Sequence, residues 1–146
     1  MATTHFSRRD ARHAHPIHGI LSAYPLALFS AALVTDIAYA GTAQMMWADF
    51  SVWLITGGLI MGGLAVIAGL VDAWRRRSEP RRRGGGLHGI GTVLMLLLAL
   101  VNAFIHSRDA WTSVVPTGLV LSAVVTLLAV ATSWQGFQLQ TRGEMR

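Results

Sequence analysis

The sequence has no cysteine and no lysine, and only seven acidic residues among 146. Without cysteine there can be no disulfide, no thiolate-held iron–sulfur cluster and no covalent c-type haem attachment. Charged residues make up 13% of the chain, against about 25% in a soluble domain. Motifs of soluble enzymes are missing as well. There is no nucleophile elbow, no His-Glu-x-x-His and no catalytic triad. Gly84-Gly85-Gly86 lacks the Lys and Ser/Thr that complete a phosphate cradle, so it reads as a linker. The chain is therefore not expected to be an enzyme on its own. Its pI of 11.3 does not point to nucleic acid. The arginines flank apolar spans, and no aromatic residues interleave with them.

What the sequence does have is apolar length. Hydrophobic residues are 53% of the chain, and mean hydropathy is +0.48. Four apolar stretches run over about 17–40, 51–72, 87–105 and 112–134. Each is near the roughly 20 residues that cross a hydrocarbon core of about 30 Å. The positive charges sort to one side of them. Arg8, Arg9 and Arg12 precede the first stretch. Arg75, Arg76, Arg77, Arg81, Arg82 and Arg83 separate the second from the third. Arg142 and Arg146 follow the fourth, and only Arg108 lies on the other side. Cytoplasmic segments collect Lys and Arg. The expectation is an all-α, up-down bundle of four transmembrane helices in a bacterial cytoplasmic membrane, with both termini inside. Residues 1–14 form a polar cytoplasmic tail, 15–142 the membrane domain and 143–146 a short C-terminal tail. The arginines also attract anionic headgroups.

Finer signals fit this layout. Pro16 suits the first turn of helix 1, where its missing N–H has no partner to lose. Pro116 is expected in the opening turn of helix 4. Short outer loops at 41–50 and 106–111 force neighbouring helices to be antiparallel. Trp47, Trp53 and Trp111 mark the outer interface, and Trp74 and Trp134 the inner one. Ala38-Tyr39-Ala40 has the small-residue form of a signal-peptidase site. Pro25, Asp36 and the length of the stretch argue against cleavage there.

Each span carries a stripe at alternating spacings of 4 and 3, which keeps residues on one helix face. In helix 1 it is His18, Ser22, Pro25, Phe29, Ala32 and Asp36. In helix 2 it is Gly58, Gly62, Ala65, Gly69 and Asp72, a small-residue face of the kind that lets helices approach closely in lipid. In helix 3 it is His88, Thr92, Met95, Ala99, Asn102 and His106. In helix 4 it is Ser122, Thr126, Ala129, Ser133 and Gly136.

Ionisable side chains inside a span are costly and mark sites or partners. Here they fall into two layers. The inner layer holds His15, His18, Asp72 and His88, and the outer layer holds Asp36 and His106, with Asn102 one turn deeper. His88 and His106 are 18 residues apart, about 27 Å along a helix, so they serve different sites. The inner set could ligate a transition metal through three imidazoles and a carboxylate. Alternatively, two histidines from different helices could hold a haem iron. The bland reading is anchoring at the interface, with Asp72 paired to Arg75 or Arg76. Asp36 would pair with His106 or Arg108, or act as an outer proton-handling station.

His15-Pro16-Ile17-His18, followed by Tyr24-Pro25-Leu26-Ala27-Leu28-Phe29 and Asp36, resembles the opening helix of the bacterial membrane family known as domain of unknown function 2231. Gly69-Leu70-Val71-Asp72-Ala73-Trp74 is similar to the end of its second helix, and His88 to the opening of its third. Trp134-Gln135-Gly136, with Leu139 and Arg142, is similar to its closing segment. The chain departs from the family pattern at Gly19, where proline is common, and in lacking a histidine near Gly143. His106 matches none of its motifs. The resemblance implies a four-helix membrane domain without an assigned reaction, found fused to Rieske and cytochrome c modules and broadly similar to cytochrome b561-type bundles. Carried over to this chain, it implies His18 and His88 as axial ligands of b-type haem, with His15 and Asp72 as supporting ligands or ligands of a transition metal instead. Three functions are therefore carried forward. One is a redox subunit with a partner protein, another a metal- or proton-handling membrane protein, and the third a structural anchor in a larger membrane complex.

Overall fold

The computed structural model describes residues 16–75, 85–108 and 110–144. It contains four helices: α1 (Pro16–Thr42), α2 (Met45–Arg75), α3 (Gly85–His106) and α4 (Thr117–Glu144). There is no strand among the described residues. All four helices are long and apolar enough to cross a membrane. The polar tail 1–14, His15, the loop arginines 76, 77 and 81–83, and residues 145–146 lie outside the described residues.

Three boundaries differ from the sequence expectation by five residues or more. Helix α2 starts at Met45, so the α1–α2 connection shrinks to Ala43 and Gln44. Met45-Met46-Trp47-Ala48 contains no helix breaker, and Asp49 sits exposed on the helix rather than in a loop. Ala43 closes α1 with φ of 54°, and its N–H donates to Tyr39 O at 2.7 Å. That is the left-handed residue that commonly ends a helix. At the other connection, 112–116 do not begin α4. Residues Ala110–Ser113 form a 3₁₀ turn, the Val115–Pro116 peptide is cis, and α4 begins after it at Thr117. Beyond Trp134 the sequence turns polar, yet good helix formers carry α4 on to Glu144.

Helix α1 packs on α2 and α4, and α3 packs on α4 and α2, so α1 and α3 face each other across the bundle diagonal. The outside is apolar. Ile20, Val34, Ile60, Ile67, Leu97, Phe104 and Leu127 are all exposed, as are Trp53, Trp74 and Trp134. Such a girdle suits lipid and would be a liability in water. Two buried clusters fill the inside. Phe29, Met95, Ala99, Val125 and Ala129 form the middle. Tyr39, Ala48 and Val114 form a second cluster toward the α1–α2 turn.

The two hairpins repeat one another. The stripe of α1 and the stripe of α3 match residue for residue, 70 positions apart: His18 with His88, Ser22 with Thr92, Pro25 with Met95, Phe29 with Ala99, Ala32 with Asn102, Asp36 with His106. The inward faces of α2 and α4 match 67 positions apart: Ser51 with Gly118, Ile55 with Ser122, Gly58 with Val125, Gly62 with Ala129, Ala65 with Thr132, Gly69 with Gly136. Members of each pair share the same degree of burial. Both hairpins enter from the same end, so they are related by a pseudo-two-fold axis along the bundle, as in parallel membrane repeats. Bulk is exchanged between them. A Cβ on Gly58 would lie 2.4 Å from Phe29 Cε1, so the large Phe29 requires glycine opposite it. The second hairpin places Val125 against the small Ala99.

Candidate functional sites

Helices α1 and α3 both begin at the arginine-rich end, and each brings a histidine there. The His18 Nδ1 lies 2.9 Å from Ala65 O on α2. The His88 Nδ1 lies 3.0 Å from Thr132 O on α4. The two bonds are equivalent under the repeat. A carbonyl oxygen can only accept, so in each ring Nδ1 carries a proton. Glycines make room for both rings. A Cβ on Gly69 would sit 3.2 Å from His18 Cε1, and one on Gly136 3.3 Å from His88 Cε1.

Both histidines line one cavity of about 790 Å³ between the helices. That is within the range of roughly 300–1,000 Å³ typical of small-molecule and cofactor sites. Pro25 and Met95 lie deeper along the same stripes. Gly62 and Gly69 of α2 and Ala129 and Gly136 of α4 form apolar walls, and Ser22, Thr92, Thr132 and Ser133 bring hydroxyls. Asp72 does not line it; its side chain is half-buried at the last turn of α2. His15 lies outside the described residues. Among the described residues no three His, Asp or Glu come together as a metal-binding group.

The opposite end of the bundle is closed by polar contacts. Asp36, 0% exposed, meets His106, 5% exposed, across the diagonal. His106 Nε2 is 3.0 Å from Asp36 Oδ1, and His106 Nδ1 is 3.0 Å from Asn102 O one turn back. Ser51 of α2 donates to Asp36 Oδ1, and Ser122 of α4 donates to Asp36 Oδ2 at 2.5 Å. Asn102 Nδ2 donates in turn to Ser122 Oγ at 2.8 Å. Thr35 Oγ1 lies 2.7 Å from Ser51 Oγ. All four helices thus contribute to one buried network. Gly118 is required beside it, because a Cβ there would lie 2.8 Å from both His106 Cε1 and the backbone oxygen of Ser113. Its repeat partner Ser51 instead fills the space next to the shorter Asp36.

The Nδ1–H of His106 is committed to a carbonyl, so the 3.0 Å contact to Asp36 requires one proton between Nε2 and Oδ1. The pair is then carboxylate with imidazolium, or acid with neutral ring, and in either form has no net charge. Arg108, the other partner expected for Asp36, is exposed. Sequence reading reached Asp36, His106 and Asn102. It missed Ser51 and Gly118, both of which lie on the faces of α2 and α4 extended by one or two turns toward the arginine-poor end.

No curated protein and no solved structure matches this sequence. A family model does, over residues 14–146. That span takes in all four helices, both histidines of the cavity and the whole Asp36–His106 network, and the chain belongs to the family described as predicted membrane protein, domain of unknown function 2231 (DUF2231).

Proposed function

We propose that the cavity at the arginine-rich end holds b-type haem between His18 and His88, and that the protein is an electron-transfer membrane domain. The supporting observation is the matched pair of imidazoles. Each donates Nδ1–H to a carbonyl of the neighbouring helix, and both residues line the same cavity. Metal-ligating histidines almost always have their other nitrogen tied down in this way, which fixes the tautomer and makes the ligating nitrogen more basic. The donor count favours haem over a bare ion. Structural zinc takes four protein ligands and catalytic zinc three, whereas haem asks the protein only for axial ligands. The cavity supplies two imidazoles and apolar walls.

Haem, when bound, supplies one-electron chemistry. The chain's own part is to fix both rings, to exclude water with the Gly62 and Ala129 walls, and to close the far end. By the positive-inside rule the cavity end faces the cytoplasm of a bacterial cell, where a partner protein would exchange electrons. The six arginines between positions 75 and 83 on that side would meet anionic headgroups or the partner.

The test is a reduced-minus-oxidised absorption spectrum of protein purified from haem-supplied cells. A b-type band is expected, and both His18→Ala and His88→Ala should abolish it, since the repeat makes the two positions equivalent. Wild-type protein that takes up no haem, even on titration, would remove the reading.

A further inference from the structure

The histidine cavity is not sealed along its sides. Ala23 of α1, Leu70 of α2, Val93 of α3 and Phe137 of α4 all line it, and all four are also exposed on the outside of the bundle. The repeat relates them in pairs, Ala23 with Val93 and Leu70 with Phe137. The cavity therefore opens sideways through two equivalent gaps, one between α1 and α4 and the other between α2 and α3. The surface around both gaps is the apolar girdle that meets lipid, so each is a window onto the hydrocarbon.

The two windows differ by one hydroxyl. Thr126 of α4 donates to Phe29 O of α1 at 3.1 Å, so this face of α4 is turned toward α1. Two turns further on, the same face carries Ser133 and then Phe137. At that level the bond to α1 is not repeated. Ser133 is half-buried on the cavity, and its hydroxyl has no hydrogen-bond partner among the described residues. Ser22, Thr92 and Thr132, by contrast, each donate to a carbonyl of their own helix. In the first hairpin the place of Ser133 is taken by Val66, so the window between α2 and α3 lacks this donor. Depth matters too. Ser133 lies nine residues before Arg142, as Val66 lies nine before Arg75, which is about 14 Å along a helix. The headgroup layer is only about 5–8 Å thick on each side. The free O–H thus sits below it, where water does not supply a partner and an unmade hydrogen bond is costly.

We propose that the window between α1 and α4 binds a lipid-soluble quinone, with the Ser133 O–H donating to a quinone carbonyl and the apolar tail left in the bilayer. The site makes two demands of its occupant. It must arrive through hydrocarbon, and it must carry a hydrogen-bond acceptor below the headgroups. A phospholipid meets the first demand with its acyl chains but keeps its polar atoms in the headgroup layer. A quinone meets both, because its polar ring travels inside the membrane. The choice of a quinone among lipid-borne carbonyl compounds rests on the electron-transfer reading above. The window and its unpartnered hydroxyl do not. The bound ring lies at the α1–α4 side of the cavity, with Ser133 one turn deeper than the Gly136 that makes room for His88.

Photolabelling of the full chain in lipid nanodiscs with a short-tailed azidoquinone, read by peptide mass spectrometry, tests the proposal. Label is expected on residues 19–26 of α1 and 133–137 of α4, and excess unlabelled quinone of the same tail should displace it. Ser133→Val, which copies Val66, should weaken quinone binding about threefold, the change that follows from losing one membrane hydrogen bond of about 0.6 kcal/mol. Ala23→Trp fills the gap from a lipid-exposed position and should abolish the label. Label spread over the outer faces of all four helices and not displaced by free quinone would overturn the site. Phospholipid held in the gap against excess quinone would overturn the choice of ligand, and unchanged binding in Ser133→Val would overturn the role given to the hydroxyl. The labelling needs no haem. A missing b-type band therefore counts against the electron-transfer reading, whereas a missing label counts against the window.

Discussion

The exchange of bulk between the two hairpins can be tested by making one half copy the other. Phe29 lies against Gly58, while the equivalent positions 99 and 125 hold alanine and valine. Consider Phe29→Ala alone. In a water-soluble core it would cost about 3–5 kcal/mol. In a bilayer much of the transfer part falls away, because lipid is as apolar as the core. The cavity part stays. At about 24 cal/mol per Å³, a residual void on the order of 100 Å³ costs about 2.4 kcal/mol. Now consider Gly58→Val alone. Its Cβ would lie 2.4, 2.8 and 2.9 Å from three atoms of the Phe29 ring. Overpacking of this kind costs about 1–3 kcal/mol. The double variant has neither problem, since Ala and Val are what the second hairpin already carries. It should return to within about 1 kcal/mol of wild type, a coupling on the order of 3 kcal/mol between touching residues. The assay is reversible unfolding in mixed micelles with increasing SDS, followed by circular dichroism. If the double variant loses as much as the two singles added together, the hairpins are not interchangeable in their packing and the repeat is only a pattern of letters.

Three further outcomes follow from single positions. Gly118→Ala forces a Cβ against His106 and against a backbone oxygen that cannot turn away; it should cost about 1–3 kcal/mol in the same unfolding assay, and His106 should lose its characteristic ¹⁵N resonances. Ala43→Gly should stabilise by about 1 kcal/mol, since a left-handed conformation strains alanine but not glycine; a loss of stability would show that the φ of 54° is not adopted. The native chain has no cysteine, so Ser78→Cys and Ser107→Cys each give one labelling site. A membrane-impermeant maleimide should reach the second from outside intact spheroplasts and the first only after lysis, and the opposite pattern would invert the topology.

Much of this molecule is legible in its letters, though unevenly. The spans could be read because arginine and apolar length are separate signals that agree. The α1 and α3 stripes could be read because in a bilayer polar and small residues tend to face inward, and both are buried or half-buried along their whole length; on α4 the buried face runs through Val125 and Thr132 rather than the expected Thr126 and Ser133. Reading each stripe alone, however, hid the repeat. Asp36 and His106 are expected to pair from their shared layer, and setting α1 beside α3 adds that they hold equivalent places about the axis. Ser51 escapes because the small-residue pattern of α2 begins at Gly58, two turns further on, although Ser51 opens the 51–72 stretch. Gly118 escapes in the same way, one turn ahead of Ser122, where the α4 pattern begins. Asp72 follows the stripe spacing, yet the cavity lining at that end of α2 runs through Gly69, Leu70 and Ala73 instead. No periodicity reports where a cavity stops.

The pseudo-symmetry has a consequence for how the Asp36–His106 contact could arise at all. Were two separate copies of a single hairpin to associate about a true two-fold, every residue on the axis would meet its own twin, acid against acid or imidazole against imidazole. Joining the copies into one polypeptide releases that constraint. Each half can then drift independently, so an unlike couple becomes attainable at one extremity while the other retains its matched histidines.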